Sequence, residues 1–168
     1  NSDVCSSDLL AATGRDDIAV YKDGIELVQK VEEVGNDVAY HTERLANADA
    51  TRQRWSHYHH LDEIKRLVNE QLKPAVVALN EIQGRLPDWK QGAIADMIAA
   101  AQALARDTDS AFFTVNANPN RPPAMSPEYT ALVSNLGSHT ETLTKKADAA
   151  GDFAAADLKA AEAGLARD

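Results

Sequence analysis

The stretch WSHYHHLDEIKRL (residues 55–67) places three histidines within four positions. Imidazole nitrogens are ligands for zinc, copper and haem iron, so this stretch has the residue types that could do metal chemistry. On a helix, His57 and His60 lie on one face whereas His59 points well away from it. The three side chains therefore cannot converge on one ion, and we expect His59 to face solvent and His57 to border the core.

Two further histidines, His41 and His139, lie on other predicted helices and could also act as metal ligands. If the first helix–helix turn is centred near Asp49, His41 lies eight residues before it and His57 eight residues after it. Both would then sit roughly 12 Å from the turn on neighbouring antiparallel helices. His139 follows the apolar phase of the last helix and would lie in the same half of the molecule. The candidate metal ligands are therefore His41, His57 and His139, although a metal-free hydrogen bond between His41 and His57 is the expected arrangement.

The motifs of known metal and haem bundles are missing from the chain. No histidine has a glutamate three residues before it, as di-iron bundles require, and no HExxH zinc motif is present. A c-type haem needs CxxCH, which is absent, and a b-type haem would need an axial pair such as a histidine with Met97. A metal- or haem-binding bundle that uses His57 and His41 is retained as the alternative function.

No enzyme motif is recognisable either. The chain has no Ser-His-Asp order, glycine-rich phosphate loop or isolated carboxylate pair. The polar residues Asp107, Thr108, Asp109 and Ser110 could line a small pocket or form a solvated helix face. We therefore expect no catalytic residue and no cofactor, with an enzyme of unrecognised site as a further alternative.

Four long helical segments must position these residues. Apolar side chains recur every three or four residues over about 17–47, 52–85, 88–115 and 126–150, which is typical of helices with one buried face. Short links place successive helices side by side. The pattern predicts an all-α fold, an antiparallel up-down four-helix bundle.

Breaking residues divide these segments and shape them. Pro74 lies inside the second helix without ending its apolar phase, so we expect a kink there. The prolines of 116–127 indicate an extended connection, and Ser126 is the expected N-cap of the fourth helix. Past Gly151 the tail either continues that helix or folds back as a short fifth one. Trp55 and Trp89 are expected to seal the ends of the bundle.

The first residues, NSDVCSSDL, have the appearance of a translated sequencing adapter. We interpret residues 1–9 as a cloning scar, 10–16 as a disordered leader and 17–168 as one four-helix-bundle domain. The only cysteine, Cys5, lies in the scar, so the native chain is expected to be cysteine-free. The residues LLAATG (9–14) resemble the end of a signal peptide.

Composition excludes some partners. The formal charge is −9 without a basic cluster, so nucleic-acid binding is not expected. The apolar runs are shorter than the roughly 20 residues that span a bilayer, so no transmembrane segment is expected. The oligomeric state is left open.

Several segments resemble a group of uncharacterised exported bacterial helical-bundle proteins. They are LDEIKRLVN (61–69) with His57 upstream, WKQGAIAD (89–96), LARDTDSAFFTVN (104–116) and SPEYTALVSNL (126–136). The resemblance implies a secretory signal and a periplasmic or secreted location, and it singles out His57 among the histidines without giving it a role. We therefore expect a non-enzymatic bundle that binds an unknown protein partner or supports the bacterial envelope.

Overall fold

The structure, a computed structural model, describes the backbone of residues 2–47, 54–86 and 88–167 and the side chains within 17–47, 54–86 and 92–165. All regular structure in these ranges is helical, as the sequence predicts. Five helices are named here in chain order: α1 Ser2–Ala46, α2 Arg54–Leu67, α3 Lys73–Ile82, α4 Asp88–Ala117 and α5 Pro127–Arg167. Since α2 and α3 together form the second predicted segment, the four long segments are confirmed.

Each long helical segment packs on two others. The first helix, α1, contacts α5 on one side and α2 and α3 on the other, and α4 likewise contacts α5 and the α2–α3 segment. Helices α1 and α5 approach closely at Gly35, where an added Cβ atom would lie 2.6 Å from Thr144 Cγ2. The side chains that face these contacts form one apolar cluster.

The predicted apolar faces form the core. Removing one such side chain from water contributes about 1.5–3 kcal/mol, so faces of this length stabilise helices that would be marginal alone. The fully buried apolar members come from every segment and include Val31, Leu61, Ile64, Leu72, Leu79, Ile94, Met97, Leu104, Tyr129, Leu136 and Leu143.

A π-helical turn, Val68–Leu72, separates α2 from α3. The Lys73 N–H bonds to Val68 O, five residues back. Pro74 follows at the start of α3; it has no N–H, and in a regular α-helix its ring would clash with the carbonyl of Glu70. The wider π turn gives this ring room, and it lies where the sequence predicts a break in regularity.

Both ends of the chain are more helical than expected. The first helix begins at Ser2, and its helical backbone includes residues 10–16, for which the sequence led us to expect a disordered leader. At the other end α5 runs unbroken through Gly151 to Arg167, which decides between the two alternatives in favour of continuation. Ala154, which is buried, extends the packed face of α5 beyond that glycine.

The link between α4 and α5 contains a 3₁₀ turn, Pro123–Met125. Ser126 then caps α5, its Oγ accepting a hydrogen bond from the Tyr129 N–H at 3.3 Å. The predicted N-cap is confirmed.

Within the described ranges, no helix combines the length and apolar character needed to cross a membrane.

Candidate functional site

Five aromatic rings form a continuous row across α1 and α2. In order they are Tyr40, His41, His60, His59 and Trp55, and we call this set the ring row. The successive centroid distances are 5.1, 5.2, 5.1 and 5.6 Å. The rings of His59 and Trp55 are stacked, with 5° between their planes, because residues four apart lie on the same face of a helix.

The two ends of the ring row are open to solvent. Trp55 is 76% exposed and Tyr40 is 52% exposed, whereas the two histidines at the centre are half-buried. The prediction that Trp55 seals the end of the bundle is wrong, because the side chain points outward and stacks on the exposed His59. A contiguous group of exposed aromatic side chains, in contrast to a single one, is typical of a contact surface.

A direct hydrogen bond joins the two helices at the centre of the row. The Nδ1 atoms of His41 and His60 are 2.9 Å apart. The ring centroids are 5.2 Å apart, which equals the nitrogen–nitrogen distance plus about one ring radius on each side. Both nitrogens therefore lie near the line that joins the centroids and point nearly straight at each other. One ring must donate and the other accept, which requires at least one of the two to be neutral.

Burial lowers the pKa of both histidines. For His41 the proximity of His59 and Arg66 acts in the same direction, against the attraction of Glu63 and Asp37. For His60, burial is again the largest cause, followed by repulsion from His41, His59 and Arg44, with Glu63 opposing. The pair is therefore uncharged at neutral pH.

Charged side chains surround the ring row. Arg66 donates to Glu63 Oε2 at 2.8 Å, and this bond lowers the pKa of the Glu63 carboxyl. Arg44 lies 5.1 Å from the centroid of the Tyr40 ring, a cation–π distance. The surface thus combines exposed aromatic rings, neutral imidazoles and both signs of charge.

A second histidine contact is fully enclosed. His57 and Tyr129 are 1% and 2% exposed, and His57 Nδ1 lies 2.7 Å from the Tyr129 hydroxyl. Burial lowers the pKa of His57 and raises that of Tyr129, so both are neutral. His57 Nε2 is buried without a hydrogen-bond partner among the described residues. The core-facing position predicted for His57 is confirmed, and so is the outward position of His59.

The predicted His41–His57 contact is wrong. His41 meets His60 instead, one helical turn further along α2, and His57 meets Tyr129 on α5. The packing of α1 against α2 is thus three residues out of register with the arrangement expected from the sequence. His139 joins neither pair, since its Nε2 lies 2.9 Å from Asp107 Oδ2 on α4.

The other polar candidates are dispersed along α4. Thr108 is buried and donates to the Leu104 carbonyl of its own helix at 2.7 Å. Asp109 and Ser110 are exposed, with Asp109 Oδ1 4.0 Å from Lys65 Nζ. The predicted alternative of a solvated face therefore fits these two residues. The side chain of Trp89 lies outside the described residues.

Among the residues that the structure describes, no group of three or more histidine, cysteine, aspartate or glutamate side chains could hold a metal ion. The proposed grouping of His41, His57 and His139 is accordingly divided over three separate contacts. Met97, considered as a haem ligand, is fully buried in the apolar core.

Arg54 was not singled out by the sequence, yet it ties α2 to the link before α5. Its guanidinium donates to the carbonyls of Val115 at 2.6 Å and Asn118 at 3.2 Å, and also to that of Pro119. These carbonyls lie at the C-terminal end of α4, where a cation is favourable. An arginine at a helix start has no distinctive spacing, so no sequence signal identifies this contact.

Comparison with known proteins finds no matching family model, curated protein or solved structure.

Proposed function

We propose that this chain is a non-enzymatic helical-bundle protein that binds a protein partner through the ring row. The observation that carries the proposal is the 76% exposure of Trp55 at one end of a continuous line of aromatic contacts. Tryptophan, tyrosine and arginine are the residues most often found at the energetic centres of protein interfaces. Trp55, Tyr40 and Arg44 supply all three within one surface.

The pre-ordered rings also favour binding. Trp55 is held by its stack on His59, and Tyr40 by Arg44 and the edge of His41. Side chains already fixed in place lose less conformational freedom when a partner covers them.

We infer that the helices form an antiparallel up-down bundle and that the second segment is kinked at Pro74. Contacts between early residues of one helix and late residues of the next support this arrangement, as with Lys65 and Asp109 or Lys146 and Asp96. The π turn Val68–Leu72 supports the kink. In this arrangement the ring row lies near the first helix–helix connection.

We also propose an exported, bacterial protein that works in the periplasm or outside the cell. The resemblance of segments 61–69, 89–96, 104–116 and 126–136 to exported bacterial bundle proteins supports this location. The partner would then be another envelope or secreted protein.

Photo-crosslinking in the cells that produce the protein tests the partner surface. A benzophenone amino acid is placed at Asp62, which is exposed and lies two turns after Trp55 on α2. We expect a discrete crosslinked adduct that Trp55→Ala reduces at least tenfold, as loss of a central interface residue of about 2 kcal/mol would.

Phe113→Ala is the matched control. Phe113 is also 76% exposed but lies on α4, outside the ring row, so its removal should leave the adduct unchanged. An adduct that survives Trp55→Ala, or that both substitutions weaken equally, would contradict the proposal.

A further inference from the structure

We propose that His41 and His60 bind one divalent late transition-metal ion, such as Zn²⁺ or Ni²⁺, between α1 and α2. This inference goes beyond the proposed partner binding and does not rest on it. It starts from the Nδ1 atoms of the two rings, which lie 2.9 Å apart on neighbouring helices.

The nitrogen separation suits a shared ion. Two ligand nitrogens about 2.0–2.1 Å from one metal lie about 2.9–3.4 Å apart when they occupy adjacent square-planar or tetrahedral positions. In the structure the nitrogens face each other directly, so each lone pair must turn by roughly 35–45° to aim at an ion about 2.0–2.1 Å from both nitrogens. His41 and His60 are half-buried, so their rings are not enclosed in the core and have room for this turn.

The protonation chemistry is also favourable. The hydrogen bond holds one proton between the two Nδ1 atoms, and this proton must leave before both can ligate a metal. A neutral imidazole can carry its hydrogen on Nε2 instead, so metal binding requires a change of tautomer without a net loss of protons. Imidazole prefers zinc, copper and nickel over magnesium or calcium, which defines the class of ion.

The nearby charges help to attract a cation. Glu63 and Asp37 act on His41 in the direction that attracts a cation, whereas Arg66 and Arg44 oppose it, and the chain as a whole has a formal charge of −9. Glu63 is held by Arg66, so it is not counted as a ligand. The described residues offer no third histidine, cysteine or carboxylate ligand, so water must complete the coordination shell. A site with two protein ligands binds reversibly and is open to exchange.

Calorimetric titration of tag-free protein with Zn²⁺ and with Ni²⁺ tests the site. The background is Cys5→Ser, which removes the only thiol, and excess Mg²⁺ occupies weak carboxylate sites. We expect one ion per chain and an affinity that falls at least about tenfold in His41→Ala and in His60→Ala, since each removes one of two ligands.

Three variants serve as matched controls. His59→Ala removes the neighbouring imidazole, His139→Ala removes a half-buried histidine on α5, and Trp55→Ala disrupts the proposed partner surface while leaving both Nδ1 atoms. Each should bind the ion with an affinity within about threefold of that of the background protein. Circular dichroism checks that the helices are retained, and His41→Gln and His60→Gln repeat the test if an alanine variant loses helix.

Four outcomes would overturn the assignment. The first is the absence of stoichiometric binding in the background protein. The second and third are binding that persists without His41 and binding that persists without His60. The fourth is a loss of metal affinity in His59→Ala or His139→Ala equal to that in His60→Ala. Trp55→Ala alters the partner surface but not the two metal ligands. Failure of metal binding would therefore leave the partner proposal standing, and failure of the crosslink would leave the metal site standing.

Discussion

His57 and His60 lie three residues apart on α2 and have opposite surroundings. His57 faces α5 inside the core, where its imidazole is hydrogen-bonded to the Tyr129 hydroxyl, whereas His60 faces α1 at the surface. The two side chains are about 60° apart around the helix axis, and this difference directs one toward α5 and the other toward α1. Position on the helix, and not residue type, sets what each imidazole can do.

The enclosed His57–Tyr129 hydrogen bond should contribute measurably to stability. Tyr129→Phe leaves His57 Nδ1 buried without a partner, so the free energy of unfolding should fall by about 1–3 kcal/mol. The double variant His57→Leu/Tyr129→Phe replaces both polar groups and should lose less than the two single changes added together. Urea denaturation of the four proteins measures this coupling; strictly additive losses would show that the bond contributes nothing specific.

The lowered pKa of His57 predicts a loss of stability in weak acid. Above its ordinary value of 6.5 the imidazole is neutral in both states, and the native contact contributes fully. As the pH falls below 6.5 the unfolded chain takes up a proton while buried His57 resists it, so stability declines until the lower folded pKa is reached.

Comparing urea midpoints at about pH 7.5 and pH 5.5 checks this dependence. The wild-type protein should lose more stability than His57→Leu/Tyr129→Phe, which lacks the buried titrating group. His41 and His60, whose pKa values are also lowered, remain in both proteins and cancel in the comparison. Equal losses in the two proteins would count against a role for His57.

Part of this site could be predicted at the level of single residues. The apolar spacing around His57 correctly indicates a core-facing side chain, and the phase of the same helix places His59 outside. The partner of each histidine depends on the register between helices, which is set by the length and path of the connection. Because periodicity within one helix contains no information on register, the pairing of His41 with His60 was missed.

At the level of helices, α1 and α5 approach each other closely at Gly35. An added Cβ would lie 2.6 Å from Thr144 Cγ2, closer than two carbon atoms can approach. Thr144 Oγ1 donates to the Thr140 and Glu141 carbonyls at 3.2 and 3.0 Å, and these bonds restrain the side chain from turning away. Glycine is therefore required here for close packing.

Gly35→Ala should lower the free energy of unfolding by about 1–3 kcal/mol through overpacking, despite the higher helix propensity of alanine. Adding Thr144→Ser removes the opposing methyl group and should restore most of the loss. Gly137→Ala is the control: apart from its own stretch of helix, no described atom lies within 4 Å of its added Cβ, so it should stabilise the protein by up to about 1 kcal/mol. Thermal or urea unfolding measures the stability of all three variants. A Gly35→Ala protein as stable as the wild type would contradict the close packing.

The helices themselves were largely predictable, whereas their interruptions were less so. Apolar periodicity located all four segments, and the serine and proline of SPEY marked the start of α5. Pro74 indicated an irregularity, but the relief takes the form of a π turn over Val68–Leu72 before the proline. A π turn shares its residue types with an α-helix, so the sequence carries no separate signal for it. The alanine-rich tail after Gly151 has high helix propensity but little apolar surface, which left its path undecided.

For the whole molecule, one buried cluster joins all the helices and holds the ring row in place. Side chains from α1, α2, α3, α4 and α5 belong to this single core. Close-packed interiors resist small displacements, so the contact between His41 and His60 rests on a stiff framework. Length and composition predicted one acidic domain and apolar periodicity predicted its helices, while the exposed row depends on two helices meeting and could not be located from either one.

The stack of Trp55 on His59 gives the molecule an optical property. The emission of an excited indole depends on its immediate surroundings, and here the indole lies 5.6 Å from the His59 ring and nearly parallel to it. The chain has two tryptophans, so replacing Trp89 leaves one emitter, at the end of the ring row. The brightness of that single residue then reports what happens at the surface, whether an ion at the neighbouring His60 or the arrival of a partner, without any added label.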